Sequence, residues 1–347
     1  MVKNILLPFI LLASLLISAC IDIKQTRCLP IIAVYPTWSA QQLPLESIPW
    51  HKFTHITLTF VLPNPDGSLQ TLEVDQLIAP LVKQAHEKNK KVIVSIGGAQ
   101  GYGDAFQKIA ADKKQLKTFS ENVAAYVKTH QLDGIDIDWE YWTKQAVHQQ
   151  GGNDPVESRL LVDLLASLRA TLPKGVLLTT DIFAGHWYGE QYLPEIQHYV
   201  DYLALMAYDF TGAWESSPVG HHSDYSTFKK SIDFLAERGF NKEKLLVGFP
   251  TYGIEFVDGK NSQVNKDYTH RYIIEKIKQT NGNVNSGKMG NLYFETPELV
   301  RKKSQYILNQ GLAGVFMFEL TQDTSDNNTS LLSASNQVIS PGFCSTH

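Results

Sequence analysis

Eight short apolar runs recur along the chain, each followed by a stretch of different periodicity, and this rhythm restricts the available folds more than any other feature. The runs are Ile31 to Tyr35, Thr54 to Leu62, Lys91 to Ile96, Gly134 to Glu140, Val176 to Asp181, Tyr202 to Tyr208, Leu245 to Phe249 and Gly314 to Phe318. Their length and apolar content suit strands of a parallel sheet covered on both faces. Between them, Val74 to Asn89, Lys114 to Gln131, Val156 to Leu172, Thr227 to Arg238 and Pro297 to Gln310 carry apolar residues at helical spacing. Eight strand–helix units predict an α/β fold, a (β/α)8 TIM barrel, as one domain over residues 20–347. The first and last helices are weakly marked. Residues 252–292 break the rhythm: they are polar and rich in Asn, Gly and Lys, with a helix expected from Tyr268 to Gln279. We read them as a short insertion after the seventh strand, forming one wall of a cleft.

The fourth run carries the chemistry. In Asp133-Gly-Ile-Asp-Ile-Asp-Trp-Glu-Tyr141, Ile135, Ile137 and Trp139 alternate with Asp136, Asp138 and Glu140, so three acids share one face of a strand. Carboxylates covered at this spacing repel one another and are costly to desolvate, which predicts at least one raised pKa. A proton held near neutral pH is what a general acid needs. A solvated strand face or a divalent-metal site uses the same residue types, but no His joins the cluster locally. Functional groups of such barrels sit at the C-terminal strand ends, which is where Glu140 falls.

Composition narrows the partners. With 347 residues, 43% hydrophobic and 19% charged, the chain can bury a large core, and a net charge of −4 without a basic run excludes nucleic acid as an expected partner. A monomer is expected, and nothing implies a metal or organic cofactor. Lys3, the apolar run Ile5 to Ile17 and Ser18-Ala19-Cys20 read as a secretory signal peptide over residues 1–19, since the run is too short to span a membrane. Leu16 to Cys20 resembles a bacterial lipobox, in which Cys20 is acylated, against the alternative of ordinary cleavage. The expected location is therefore secreted or in the cell envelope as a lipoprotein, with membrane contact only through that anchor. Cys28 and Cys344 precede the first strand and follow the last helix, so barrel closure would bring them together as a disulfide.

The pattern Asp-x-x-Asp-x-Asp-x-Glu followed by an aromatic resembles the signature of the family-18 glycoside hydrolases, the chitinase family. Ser95-Ile96-Gly97-Gly98 is similar to the family's Ser-x-Gly-Gly motif, and Met206-Ala207-Tyr208-Asp209 to its Met-x-Tyr-Asp motif. The resemblance implies a retaining hydrolase of β-1,4-linked N-acetylglucosamine that uses the substrate's own acetamide as nucleophile. It makes Glu140 the acid and Asp138 the group that faces the acetamide N–H. Asp136 would share a proton with Asp138 and be supported by Tyr35 and Ser95, while Tyr208 and Asp209 would hold the N-acetyl group. Asp133, on the opposite parity, would be structural. Trp38, Phe60, Trp142, Trp187, Trp214 and Tyr252 are candidates for stacking on sugar rings. Phe318 stands where the family usually has a tryptophan under the bound sugar, which leaves the substrate open. An endo-β-N-acetylglucosaminidase acting on glycoprotein glycans or peptidoglycan would share the mechanism. A chitin-binding lectin without turnover is the alternative of another class, and such members typically lack the glutamate present here as Glu140.

Overall fold

The computed structural model describes residues 29–99, 103–141, 155–185, 191–214, 217–257 and 265–339. Eight parallel strands form its centre: β1 Ile31–Pro36, β2 His55–Pro63, β3 Lys91–Gly97, β4 Gly134–Asp138, β5 Leu177–Phe183, β6 Tyr202–Met206, β7 Leu245–Pro250 and β8 Gly314–Phe318. Each pairs with its sequence neighbour, and β1 pairs with both β2 and β8, closing the barrel. Residues such as Ile135, Ile137 and Leu178 pack outward against the helices, while Ile32, Val34, Ile93, Ala204, Leu246 and Phe316 fill the lumen. The (β/α)8 architecture expected from the sequence is therefore present.

The helical layer is less regular. It comprises α1 Leu72–Glu87, α2 Gly103–Ala111, α3 Lys113–His130, α4 Pro155–Thr171, α5 Tyr225–Glu237, α6 His270–Gln279, α7 Pro297–Gln310 and α8 Leu331–Ile339. Among the described residues, the crossovers after β1 and β5 hold only 3-10 turns, including Thr37–Gln42 and Pro194–His198. That accounts for the weak mark of a first helix. Several boundaries follow from caps: Asp112 accepts from Lys114 N and Gln115 N at the start of α3, and Asp224 does the same for α5. Asp133 accepts from Val92 N at 2.8 Å and pairs with His86 Nε2 at 2.9 Å, tying the base of β4 to β3 and α1.

The stretch after β7 forms a small antiparallel sheet of Tyr252–Glu255, Lys266–Thr269, Lys288–Met289 and Leu292–Phe294. Its apolar side, with Leu292 and Phe294, packs on Ile273 and Ile277 of α6. The helix expected from Tyr268 begins at His270 instead, because Thr269 ends a strand and caps the helix through Tyr272 N. Cys20, Cys28, Cys344 and the expected signal peptide over residues 1–19 lie outside the described residues, as do Trp142 and Trp187.

Candidate active site

The C-terminal end of the barrel opens into a cavity of about 550 Å³, lined in part by Asp136, Asp138, Glu140, Asp181, Tyr208 and Phe318. Period-two alternation along β4 puts the three acids here and seats Ile135, Ile137 and Trp139 among the outer helices. Burial, helped by the charges of Glu140 and Asp136, raises the Asp138 pKa well above the usual carboxylate range. Burial and the nearby charge of Asp209 raise that of Glu140 to about 7. A raised acid in this strand is what covered carboxylates at this spacing predict.

Asp136 lines the cavity and is held from both neighbouring strands. Its Oδ2 accepts from Ser95 Oγ at 2.7 Å and its Oδ1 from Thr179 Oγ1 at 2.5 Å. A third hydrogen bond joins it to the Asp181 carboxyl on β5. Asp138, only 6% exposed, has an Oδ1 with no hydrogen-bond partner among the described residues. The partner of Asp136 is thus Asp181 and not the expected Asp138. Tyr35 also departs from expectation. It shares the outward parity of Ile31 and Ala33, and its hydroxyl donates to Leu43 O at 2.7 Å and Ala40 O at 3.2 Å. It therefore supports the loop after β1 and takes no part in the lumen.

Gly97 and Gly98 let β3 pass beneath this cluster. Gly97 has φ +120°, and a Cβ there would lie 2.1 Å from the Asp138 carbonyl oxygen, so no other residue fits without moving the end of β4. Gly98 faces the Phe60 ring, and Phe60 stacks on Trp38 with centroids 5.8 Å apart. Trp38 is 59% exposed on the cavity rim, as a ring available for stacking would be.

Across the barrel, Met206 and Tyr208 reach the lumen from the end of β6. Tyr208 lies nearly parallel to Phe318 at 6.2 Å and edge-on to Phe316. Gly248 leaves the space for this group, since a Cβ there would meet Phe316 at 2.5 Å and Tyr208 at 2.8 Å. Asp209 adopts φ +54°, and its Oδ1 accepts from Tyr252 Oη at 2.6 Å and lies 3.2 Å from Nδ1 of the fully buried His222. Tyr252 is therefore a polar anchor as well as an aromatic wall. A neighbouring lobe adds Trp214, Asp267, Tyr268 and Gln322, so the sheet inserted after β7 does form one side of the cleft. Among the described residues no three His, Cys, Asp or Glu side chains are grouped to hold a metal ion.

Three contributors escaped the sequence reading. Thr179 and Asp181 share parity on β5, and an acid at an inward position near that strand's end was the available signal. His222 lies in a loop without periodicity, where only the fold reveals its contact.

The sequence profile of glycosyl hydrolases family 18 matches residues 31–323. The chain belongs to this family. Among curated relatives of this family-18 chain, a "chitinase-like effector" of Moniliophthora roreri is 26% identical over 255 residues, covering 68% of this chain and 61% of that protein. "Probable chitinase 2" of Drosophila melanogaster is 31% identical over 185 residues, covering 50% of this chain and 37% of its own length. The chain thus spans less than two thirds of either relative. The crystal structure of a class V chitinase from Nicotiana tobaccum in complex with NAG4 has a TM-score of 0.77 at 20% identity, covering 90% of this chain and 99% of that one. At that identity the likeness is one of fold.

Proposed function

We propose that this family-18 protein is a retaining chitinase that hydrolyses β-1,4-linked N-acetylglucosamine by substrate-assisted catalysis. The observation that carries the reading is Glu140, an acid with a pKa of about 7 beside an unpartnered Asp138 Oδ1, in a cavity walled by aromatic rings. Family membership and the oligosaccharide complex of a structural relative support it.

Glu140 gives its proton to the glycosidic oxygen as the C1–O bond breaks. The acetamide oxygen of the same sugar bonds to C1, forming an oxazolinium ion. Asp138 accepts a hydrogen bond from the acetamide N–H and offsets the positive charge that develops. Water then adds to C1 as the C1–O bond of the oxazolinium ring breaks and the acetamide re-forms, while the Glu140 carboxylate takes the water's proton, restoring the acid with stereochemistry retained. Tyr208 and Asp209 hold the N-acetyl group and the sugar, and Trp38, Phe60, Trp214 and Phe318 supply stacking surfaces. The lipid anchor at Cys20 and an envelope or secreted location belong to the same proposal, which mass spectrometry of the mature N-terminus tests.

The deciding experiment incubates the protein side by side with chitooligosaccharides, peptidoglycan and a high-mannose glycopeptide, and analyses the products. Shortened chitooligosaccharides with β-anomers formed first are expected, and Glu140→Gln should lose turnover at least ~10²-fold while still binding the sugar. Cleavage of the glycopeptide or peptidoglycan alone would select the endo-β-N-acetylglucosaminidase. Binding without products from any substrate would select the lectin.

A further inference from the structure

The acids of β4 do not act alone in the lumen. Register pairs Asp136 with Thr179 and Ile137 with Thr180, so one step further Asp181 stands level with Asp138 on the adjoining strand. Asp181 lines the cavity with Asp136, Asp138, Glu140 and Tyr208. A carboxyl that hydrogen-bonds a second carboxylate must carry a proton to donate.

We infer that Asp181 is a positioning residue, which occupies Asp136 through a donated hydrogen bond and so leaves the Asp138 carboxylate free to face the substrate. This rests on the hydrolase reading above. With Ser95 on Oδ2, Thr179 on Oδ1 and Asp181 as a third donor, Asp136 has its partners supplied by β3 and β5. Asp138 is left with a buried, unpartnered Oδ1, an arrangement that is costly until a donor such as a substrate N–H arrives. Were Asp181 absent, Asp138 would be the nearest group able to lend Asp136 a proton, and it would have to break that bond before meeting the acetamide.

The charged and titratable groups facing Asp181 are Asp136, Asp138 and Glu140 from β4 and its end, and Tyr208 from the end of β6. Burial first, then the charges of Asp136 and Asp138, raise the Asp181 pKa well above the carboxylate range, and burial with the charges of Glu140 and Asp136 does the same for Asp138. A proton fixed on Asp181 by its bond to Asp136 neutralises one of these acids and leaves Asp138 as the one to ionise. A neutral Asp181 adds no charge beside Glu140 while that acid titrates.

The test compares wild type, Asp181→Asn and Asp181→Ala. The Asn variant keeps a donor for Asp136, so kcat within ~3-fold of wild type and an unmoved alkaline midpoint are expected. The Ala variant removes the donor, and kcat should fall ~10- to 100-fold with KM changed less than ~3-fold, the range of a lost transition-state interaction. Equal activity of all three would overturn the inference, as would an Asn variant whose alkaline midpoint drops by about a unit, because that would mean wild-type Asp181 carries a charge. Infrared difference spectra of the unliganded protein at neutral pH provide a readout free of turnover. One protonated-carboxyl band should vanish in Asp181→Asn, and its persistence would refute the inference. If wild type cleaves no glycan, the hydrolase reading fails while the infrared result still decides whether Asp181 holds the proton.

Discussion

Glu140 can donate a proton only while it holds one, and its pKa of about 7 sets where that ceases. On the proposed hydrolase reading, activity should therefore be lost as pH rises through about 7, and kcat/KM against pH measures this alkaline limb directly. A limb displaced beyond about pH 9 would show that another group is the acid. Phe318 offers a second test at this scale. It lines the cavity against Tyr208, and Phe318→Trp adds roughly 40 Å² of apolar ring, worth about 1 kcal/mol or a ~5-fold lower KM if sugar stacks there. An unchanged KM would show that sugar does not stack on Phe318. Asp136, Asp138 and Glu140 were legible because strand periodicity alone puts them on one face. Tyr35 was misread because its position at a strand end was weighed without its parity, which it shares with Ile31 and Ala33. Asp181 lacked any local partner in sequence, since its neighbours come from another strand.

Loops at the barrel mouth are held by buried charge. Lys303 of α7, 1% exposed, donates to Ser223 O at 2.6 Å, to Ser223 Oγ at 2.7 Å and to Glu295 Oε2 at 2.5 Å. Ser223 in turn donates to Ala207 O at 2.6 Å, one residue before Tyr208. This chain of contacts fixes the end of β6 against α7. Lys303→Met would leave Glu295 charged and unpaired in the interior, with an expected loss of about 3–5 kcal/mol in urea unfolding. Adding Glu295→Leu should restore most of it, whereas a double variant as unstable as the single one would show that the pair matters through something other than its charge. None of this was visible in the sequence, because a lysine and a glutamate eight residues apart read as two surface groups until the fold buries them. The main strands and the long helices were visible, as their periodicity is local. The strands after β7 were not, being two to four residues long and defined by their packing on α6.

For the molecule as a whole, the buried acids of the lumen lower stability as pH rises. Asp138, Glu140 and Asp181 all have raised folded-state pKa values, mainly from burial, so the folded protein binds protons that the unfolded chain releases. The sign follows: their contribution is fully present below the unfolded carboxylate pKa of about 4 and is lost as pH rises through each folded value. For Glu140 that window runs from 4.5 to about 7. At about 1.4 kcal/mol per unit the shift could cost roughly 3 kcal/mol, and the partial exposure of Glu140 brings the expected figure to about 2 kcal/mol. Glu140→Gln removes the titration while keeping the shape. Its unfolding free energy should match wild type near pH 4 and exceed it by about 2 kcal/mol at pH 8, read from urea curves at the two pH values. A variant that gains nothing at pH 8 would mean that water or a neighbouring cation already relieves the Glu140 charge, and the alkaline limb of activity should then lie below pH 7 as well. Stability and turnover thus report the same proton, one by its cost and the other by its use.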